Sequence, residues 1–560
     1  MTSGTRRRKS GVERGIAVTA SDGTTLLVDH HLPKTQASDG EALVWIRTPY
    51  GRKGMRSIAK RFIKRGAHVL VEALRGTDGS GGTFDGSTLN PSDGADVAAW
   101  LRRQPWFPGT IVTWGCSFIG YACWALAARD IPEWRLAILH DAESEIRDAI
   151  VYPGGVFAGA VALSVVENVD WLSRHPGASL ARTMLASVRG ARRTKKTLAE
   201  LPLGTADQRL LGHRVEYFQQ WLAREHDDGY WQRLNLRGRA AGMPEQVHLA
   251  TGWHDICLAS TLADYAALRE AGKTPRLVIG PWYHSLGFTD KTYTAEVDGC
   301  IDAALRGETA VTDSSARVHV GGADEWRELP GWPPPGYLPT VWHLHPAGRL
   351  DTSPPPASPP DRYRYDPADP TPAVGGAMEN WDGAAGAKDN RRLEARPDVL
   401  TYTTDALTED VEVIGPVTAE IVLRSSLEHT DLFARLCEVD PRGRSTNLCD
   451  GIRRLTPDDP PVAGDRTRKI RIDLVATAHR FRFGHRIRLQ VSSGAHPRLV
   501  LNPGTGAPLA TATDLRATDQ EIFHDPDHVS TVELCTLPPP PPRTGRPPAS
   551  RLPRPRKRGP

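Results

Sequence analysis

Ser117 lies in "TWGCSFIGYA" (residues 113–122), after a β-type run from Thr110 to Trp114 and before a helix-like run from Tyr121 to Ala128. A serine on a tight strand-to-helix turn presents its hydroxyl clear of the sheet, and small flanks such as Gly115 and Cys116 let the turn form. The hydroxyl alone is a weak nucleophile. Acyl transfer needs a base within hydrogen-bond reach and an acid that orients the base, and in α/β folds these follow in the order Ser, Asp, His. "TGWHDICLAS" puts Asp255 just past one apolar run, and "LVIGPWYHSLG" puts His284 just past the next. Taken singly, Asp255 also reads as an N-cap and His284 as a surface loop residue. Their joint placement, each at a strand terminus and in the right order, favours a catalytic triad.

Attack on a carbonyl creates an oxyanion that needs donors. The backbone N–H of Phe118, at the start of the following helix, is one. Tyr50 ends an early strand in "WIRTPYGRKG"; its hydroxyl is a second candidate, and a core tyrosine is an equal reading. One feature conflicts with a lipase-type G-x-S-x-G elbow. Ile119 stands where the second glycine is expected, and Gly120 follows it.

Rival chemistries are weaker. "RGTDGSGGTFDG" lacks the lysine of a phosphate-binding loop and reads as a mobile rim loop. His30, His31 and His254 show no metal-ligand spacing, so neither a metal nor a cofactor is expected. The cysteines at 116, 123, 257, 300, 437, 449 and 535 are odd in number, scattered and without a C-x-x-C pair. That pattern argues against a disulfide framework and a zinc site, leaving reduced, structural thiols. The tryptophans read as packing residues.

The elements that must position these groups are legible from residue 41 onward. "ALVWIRTPYG", "SIAKRFIKRG", "AHVLVEALRG", "DGADVAAWLRRQ" and "TIVTWGCS" alternate strand and helix patterns, continued by "RLAILHDA", "QVHLATGWHD" and "PRLVIGPWYH". Such alternation predicts a parallel sheet covered on both faces, with its chemistry at the carboxyl ends of the strands. Between 146 and 244 helical spacing takes over, which predicts a cap shaping a substrate cavity. After about 335, proline-rich breaks introduce period-two strands such as "VEVIGPVTAEIVLR" and "HRIRLQVSS", the pattern of an antiparallel sandwich. The expected division is a disordered basic tail over 1–14, an α/β body over 15–145 and 245–335, a helical cap over 146–244, an all-β sandwich over 336–536, and a disordered Pro/Arg-rich tail over 537–560.

The formal charge of +4 misleads, because residues 1–10 carry four Lys/Arg and residues 538–560 carry seven. Without those eleven the body stands at about −7, which does not suit a nucleic-acid partner. No apolar run approaches the ~18 residues of a membrane span, and no apolar stretch follows the basic N-terminus as in a signal peptide. The expectation is therefore a cytoplasmic protein with no membrane partner.

The chain resembles the CocE/NonD serine hydrolases, which include cocaine esterase, X-prolyl dipeptidyl-peptidases, α-amino-acid ester hydrolases and glutaryl acylases. The resemblance runs through "RTPYG", "RGTDGSGG", "WLRRQPWFPGTIVTWGCSFIGY", "GWHD", "GPWYH", "GGADEWRELPGWPPP" and "FRFGHRIRLQVSSGAHPRLVLNPGTG". The family elbow reads G-x-S-Y-x-G, the spacing found at Gly120. The resemblance implies Ser117 as nucleophile, Asp255 and His284 as partners, and Tyr50 with the Phe118 amide as oxyanion hole. It implies an α/β-hydrolase body with a helical cap and a C-terminal jelly-roll, galactose-binding-like sandwich. Phe118 departs from the usual Tyr, and Ala73 from an Asp common before the family's R-G. The expected activity is cleavage of a small-molecule carboxylic ester or amide through an acyl-enzyme. The alternatives are an X-prolyl dipeptidyl-peptidase, disfavoured because no extra N-terminal domain precedes the strands, and an inactive body carrying a binding jelly roll. Oligomeric state is not legible in the sequence, and a homodimer stands open.

Overall fold

The computed structural model describes residues 11–33, 42–86, 89–175, 180–284, 287, 290–378, 383–459 and 466–537. The expected tails lie outside them up to residue 10 and from residue 538 onward.

Ten strands form the first sheet: β1 (Val12–Thr19), β2 (Thr25–His31), β3 (Leu43–Thr48), β4 (His68–Ala73), β5 (Ile111–Cys116), β6 (Trp134–His140), β7 (Gln246–His254), β8 (Thr274–Tyr283), β9 (Ala316–Val320) and β10 (Glu325–Leu329). Their spatial order is β1-β2-β4-β3-β5-β6-β7-β8-β9-β10. From β4 to β9 every neighbouring pair is parallel. The β1–β2 hairpin and β10 add antiparallel edges. Parallel strands need crossovers, and helices Arg56–Arg65 and Pro91–Leu101 supply two of them. In the second, Asn90 caps the helix by accepting from the Ser92 amide, and Pro91 presets its first turn. Every residue of β3, β4 and β5 is buried. Burial on both faces is why these strands read as unbroken apolar runs.

Between β6 and β7 the chain runs through helices including Gly159–Arg174, Leu180–Leu198, Glu216–Ala223 and Asp228–Leu234. Phe157, Phe218, Trp221 and Trp231 are buried among them and against the sheet. The later part of the chain forms an eleven-stranded sheet system with its own core of Leu344, Tyr402, Val417, Ile421, Leu436 and Leu489. Its strand Arg468–Phe481 alternates buried and exposed residues from Arg468 to Leu474, then buries Ala476 to Ala478 on both faces. The alternation ends where this strand meets the first sheet's connections. The Gly321 amide donates to the Ala478 carbonyl (2.9 Å), and the Arg480 amide donates to the Gly321 carbonyl (2.9 Å).

The chain is thus an α/β hydrolase fold followed by a separate all-β region. Three sequence expectations differ in detail. β1 begins at Val12, inside the stretch expected to be unstructured, and β2 also precedes residue 41. β9 and β10 extend the sheet beyond the last strand the sequence revealed. All seven cysteines are free, and all but Cys535 are buried. Among the described residues, no helix is long and apolar enough to cross a membrane.

Candidate active site

Ser117 follows the last residue of β5 and takes φ 52°, ψ −132°. That conformation is costly for an L-residue and is held by its surroundings. Its amide donates to the carbonyls of His140 (3.1 Å) and Asp141 (3.0 Å), and its carbonyl accepts from the amides of Gly120 (2.7 Å) and Tyr121 (3.1 Å). The unusual glycine spacing has a steric origin here. A Cβ on Gly115 would stand 2.6 Å from the Gly120 nitrogen and the Ile119 carbonyl oxygen, and one on Gly120 would stand 2.4 Å from the Ala142 Cβ. The first turn of helix Phe118–Trp124 lies directly against the ends of β5 and β6, so the contact needs glycine at 120. Ile119 points into the buried apolar layer shared with Ile46, Phe62 and Trp114.

Strands β7 and β8 deliver the partners. His284 Nε2 lies 3.2 Å from Ser117 Oγ, and His284 Nδ1 lies 3.2 Å from Asp255 Oδ2. Asp255 is 2% exposed and His284 7% exposed, so the pair is screened from bulk water. Asp255 Oδ1 also accepts from the Cys257 amide at 2.5 Å. Asp255 is not the N-cap of helix Leu258–Glu270, a position held by Cys257 without a side-chain cap; it ties the turn ahead of that helix and faces the histidine.

Three more buried groups surround this chain. Asp141, at the carboxyl end of β6, lies 2.9 Å from His140 Nε2. Burial, and then the neighbouring Asp141 charge, push the Asp255 carboxyl up to about 6. Burial would raise Asp141 too, but the His140 ring and the His284 ring outweigh it and leave Asp141 below the usual range. Glu143 is 5% exposed, with Oε2 at 3.5 Å from Cys257 Sγ, and burial pushes its carboxyl up to about 8. Asp255, Cys257 and His284 offer ligand atoms within 4.8 Å of one another. Asp255 and His284 already hydrogen-bond each other, and the Cys257 thiol is held well above its ordinary range by burial, opposing the thiolate a soft metal needs.

A cavity of about 260 Å³ opens onto Ser117 and His284. Its walls are mainly apolar: Met55 and Trp114 from the body, and Val161, Val165, Leu172 and Trp221 from the helices between β6 and β7. Trp114 and Trp221 therefore do more than pack. Tyr50 and Phe118 line the same cavity. The Phe118 ring meets Phe84 edge-on at 5.8 Å and Tyr121 at 5.4 Å, filling space with aromatic contacts where a phenol would add a polar group. The Phe118 amide, at the first helical position, has no intrahelical acceptor. A larger cavity of about 360 Å³ lies between this body and the all-β region, sharing Ile150, Val161 and Ile256 with the first.

The glycine-rich segment expected to be a mobile rim loop is tied down. Arg75 pairs with Asp93 and Asp22, Arg52 pairs with Asp78 and Asp29, and Ser80 Oγ donates to the Ala73 carbonyl at 2.9 Å. Ala73 itself is buried at the end of β4, where its backbone rather than a side chain anchors the loop. Asp141 and Glu143 went unnoticed in sequence. Their signal is "HDAESE", a dense run of ionisable residues at the carboxyl end of the strand between those carrying the serine and the aspartate.

Residues 22–286 match the family model described as X-Pro dipeptidyl-peptidase (S15 family), and residues 309–533 match that of the X-Pro dipeptidyl-peptidase C-terminal non-catalytic domain. The chain is 30% identical to the cocaine esterase of Rhodococcus sp. over 93% of its own length and 98% of that protein. An aminopeptidase from the marine sediment archaeon Thaumarchaeota archaeon superposes with a TM-score of 0.79 at 20% identity, covering 96% of this chain and 98% of the other. A CocE/NonD family hydrolase from Staphylococcus aureus gives a TM-score of 0.68 at 13% identity, covering 94% and 93%.

Proposed function

The chain belongs to the CocE/NonD family of serine hydrolases, of S15 peptidase type, and from that premise we propose that Ser117 is its nucleophile, His284 its general base and Asp255 the acid that orients the base. The observation that carries this reading is the continuous contact from Ser117 Oγ to His284 Nε2 and from His284 Nδ1 to Asp255. His284 Nε2 takes the hydroxyl proton as Oγ attacks the substrate carbonyl, and Asp255 stabilises the imidazolium. The Phe118 amide and the Tyr50 hydroxyl receive the oxyanion. Collapse of the tetrahedral intermediate breaks the bond to the leaving group, which takes its proton from Nε2. Water, deprotonated by the same nitrogen, then attacks the acyl-enzyme and releases the acid. The reaction is hydrolysis of a carboxylic ester, and the apolar walls of the Ser117 cavity suit an apolar acyl group.

Ser117→Ala is expected to lower acyl-ester turnover by at least about 10³-fold while leaving the fold intact. Wild-type protein should take up one equivalent of a fluorophosphonate probe, and the variant none. Retained turnover in the variant would eliminate the mechanism, and an unlabelled, folded wild-type protein would favour an inactive body carrying a binding module.

A second reading is removal of an X-Pro dipeptide from a peptide amino terminus, which the descriptions of both matching family models favour. The same machinery would cleave the amide. Parallel kcat/KM measurements on an X-Pro anilide and on simple acyl esters separate the two.

A further inference from the structure

We propose that the all-β region carries a site for a tetrahedral oxyanion, a phosphate or sulfate group, held by Arg362, Arg364, Arg424 and Arg466. The site is independent of the Ser117 machinery, because the two cavities share no residue.

Strand alternation puts the arginines on one face. Strands Asp361–Tyr365, Thr518–Phe523 and Val411–Ser425 are successive antiparallel neighbours. In the first, Tyr363 and Tyr365 are buried while Arg362 and Arg364 are exposed; in the second, Thr518 and Gln520 are buried while Asp519 is exposed and Glu521 half-buried. Period two therefore sends Arg362, Arg364, Asp519 and Glu521 to the outer face. The register sets Arg362 opposite Glu521 and Arg364 opposite Asp519, and Arg424 meets Glu521 from the other side. Arg362 Nη2 lies 2.7 Å from Glu521 Oε1, Arg424 Nε 2.5 Å from Glu521 Oε2, and Arg364 Nη1 2.9 Å from Asp519 Oδ1.

These pairs leave positive charge over. A cavity of about 540 Å³ opens at this face, lined by the four arginines together with Ser425 and Ser426. Its volume falls in the range of small-molecule sites. Four guanidinium groups face two carboxylates there, on a body whose charge is about −7. A local reversal of sign concentrates anions. Folding does not account for the excess, because exposed pairs of this kind add little stability.

Arg466 is the surplus cation at the rim. It takes φ 61°, a left-handed conformation that is costly for a non-glycine residue and that recurs where side chains clamp ligands. Among the described residues it makes no ion pair or hydrogen bond. Its neighbours are held ready by the acids. Arg362 commits Nε and Nη2 to Glu521, and Arg364 commits Nη1 to Asp519, which orients both forks while Arg362 Nη1 and Arg364 Nη2 stay available as donors. The Ser426 hydroxyl is fixed beside them by accepting from the Asp519 amide at 2.9 Å. Planar guanidinium forks suit the several oxygens of a phosphate or sulfate better than any single-point acceptor.

The test is calorimetric titration of the full-length protein with inorganic phosphate and, separately, with glucose 6-phosphate at low ionic strength, with acetate as the monoanionic comparison. Saturable binding of one equivalent of phosphate, and none of acetate, is expected. Arg466→Gln should weaken it about 10-fold through loss of one charge-assisted contact. Asp519→Asn should tighten it, because the positive excess grows; a gain in affinity cannot come from a damaged fold. Arg135→Gln makes the same charge change on an exposed position of β6, and it should bind as wild type does. Absence of saturable binding to the wild type overturns the proposal. Equal weakening by Arg135→Gln and Arg466→Gln overturns it too, since the basic termini and the general field would then hold the anion. Tighter binding of glucose 6-phosphate than of inorganic phosphate supports a phosphate ester as the natural ligand, and the reverse order supports the free ion.

Discussion

Glu143 shares the cavity with Ser117 and His284 yet is held near neutrality: burial pushes its carboxyl up to about 8, so near pH 7 it is chiefly protonated. In the unfolded chain a glutamate titrates near 4.3. The folded state therefore binds its proton more tightly, and folding loses stability as pH rises from about 4.3 to about 8. Glu143→Gln, neutral at every pH, should melt with wild type near pH 4 and above it at pH 8, by about 1 °C for each kcal/mol of ionisation cost removed in a chain of this length. Melting curves of both proteins across that range provide the check, and parallel curves would show that Glu143 is solvated. Residues at this scale were unequally legible. Ser117, Asp255 and His284 could be found because chain order and strand ends are properties of the sequence. Asp141 and Glu143 could not, because "HDAESE" looks like a polar turn until the strands beside it bury both acids. Gly120 was read correctly only through family spacing; its physical cause, the contact with Ala142, depends on how the helix packs on two strands.

The elements that wall the cavity depend on a contact between distant parts of the chain. Gly154 has φ 59°, and a Cβ there would stand 1.8 Å from the carbonyl oxygen of Ile452, in strand Ser445–Leu455 of the all-β region. The segment just before helix Gly159–Arg174 is thus seated backbone to backbone on that strand. Gly154→Ala would incur about 1–2 kcal/mol for the left-handed conformation alone, before any backbone clash is relieved. Relieving it moves Ile150 and Val161, which line the cavity at Ser117. The expected outcome is a lower melting temperature together with a raised KM for esters, with fluorophosphonate labelling of Ser117 preserved. A KM equal to that of wild type would show that the cavity does not depend on this seat. The same dependence explains which elements were legible. β3 to β8 announce themselves as apolar runs because both faces are buried. β1, with Glu13, Arg14 and Gly15 at an edge, and the short β9–β10 hairpin present half-exposed patterns that resemble loops. Edge strands carry little periodic signal, and their assignment waits on the neighbour they pair with.

At the scale of the whole molecule, the all-β region meets the catalytic body across a cavity, and a buried charge network within the all-β region lines it. Asp450 lies 2.8 Å from Arg435 Nη2 and 2.5 Å from Arg498 Nη2, with all three side chains at most 9% exposed. Asp450 lines the larger cavity together with Trp253, Asp255 and Ile256. Burial alone would raise the Asp450 carboxyl; Arg498 and then Arg435 outweigh burial and hold it far below the usual range. A carboxylate depressed in this way contributes stability that is fully present above its unfolded value near 3.9 and is lost as pH falls through and below it. Asp450→Asn leaves two buried guanidinium groups without their counter-charge, a defect of about 3–5 kcal/mol. The variant should therefore melt well below wild type at pH 7, and the gap should narrow as pH falls toward 3 and below. Because the segment carrying Asp255 and the strand carrying Asp450 bound one cavity, the catalytic body should not outlast the loss of this network. Thermal inactivation of ester turnover is expected to shift by the same number of degrees as the unfolding transition, although position 450 is remote in sequence from Ser117. Unfolding in two separate steps, with turnover following only the later and unshifted one, would mean that the two regions are energetically independent.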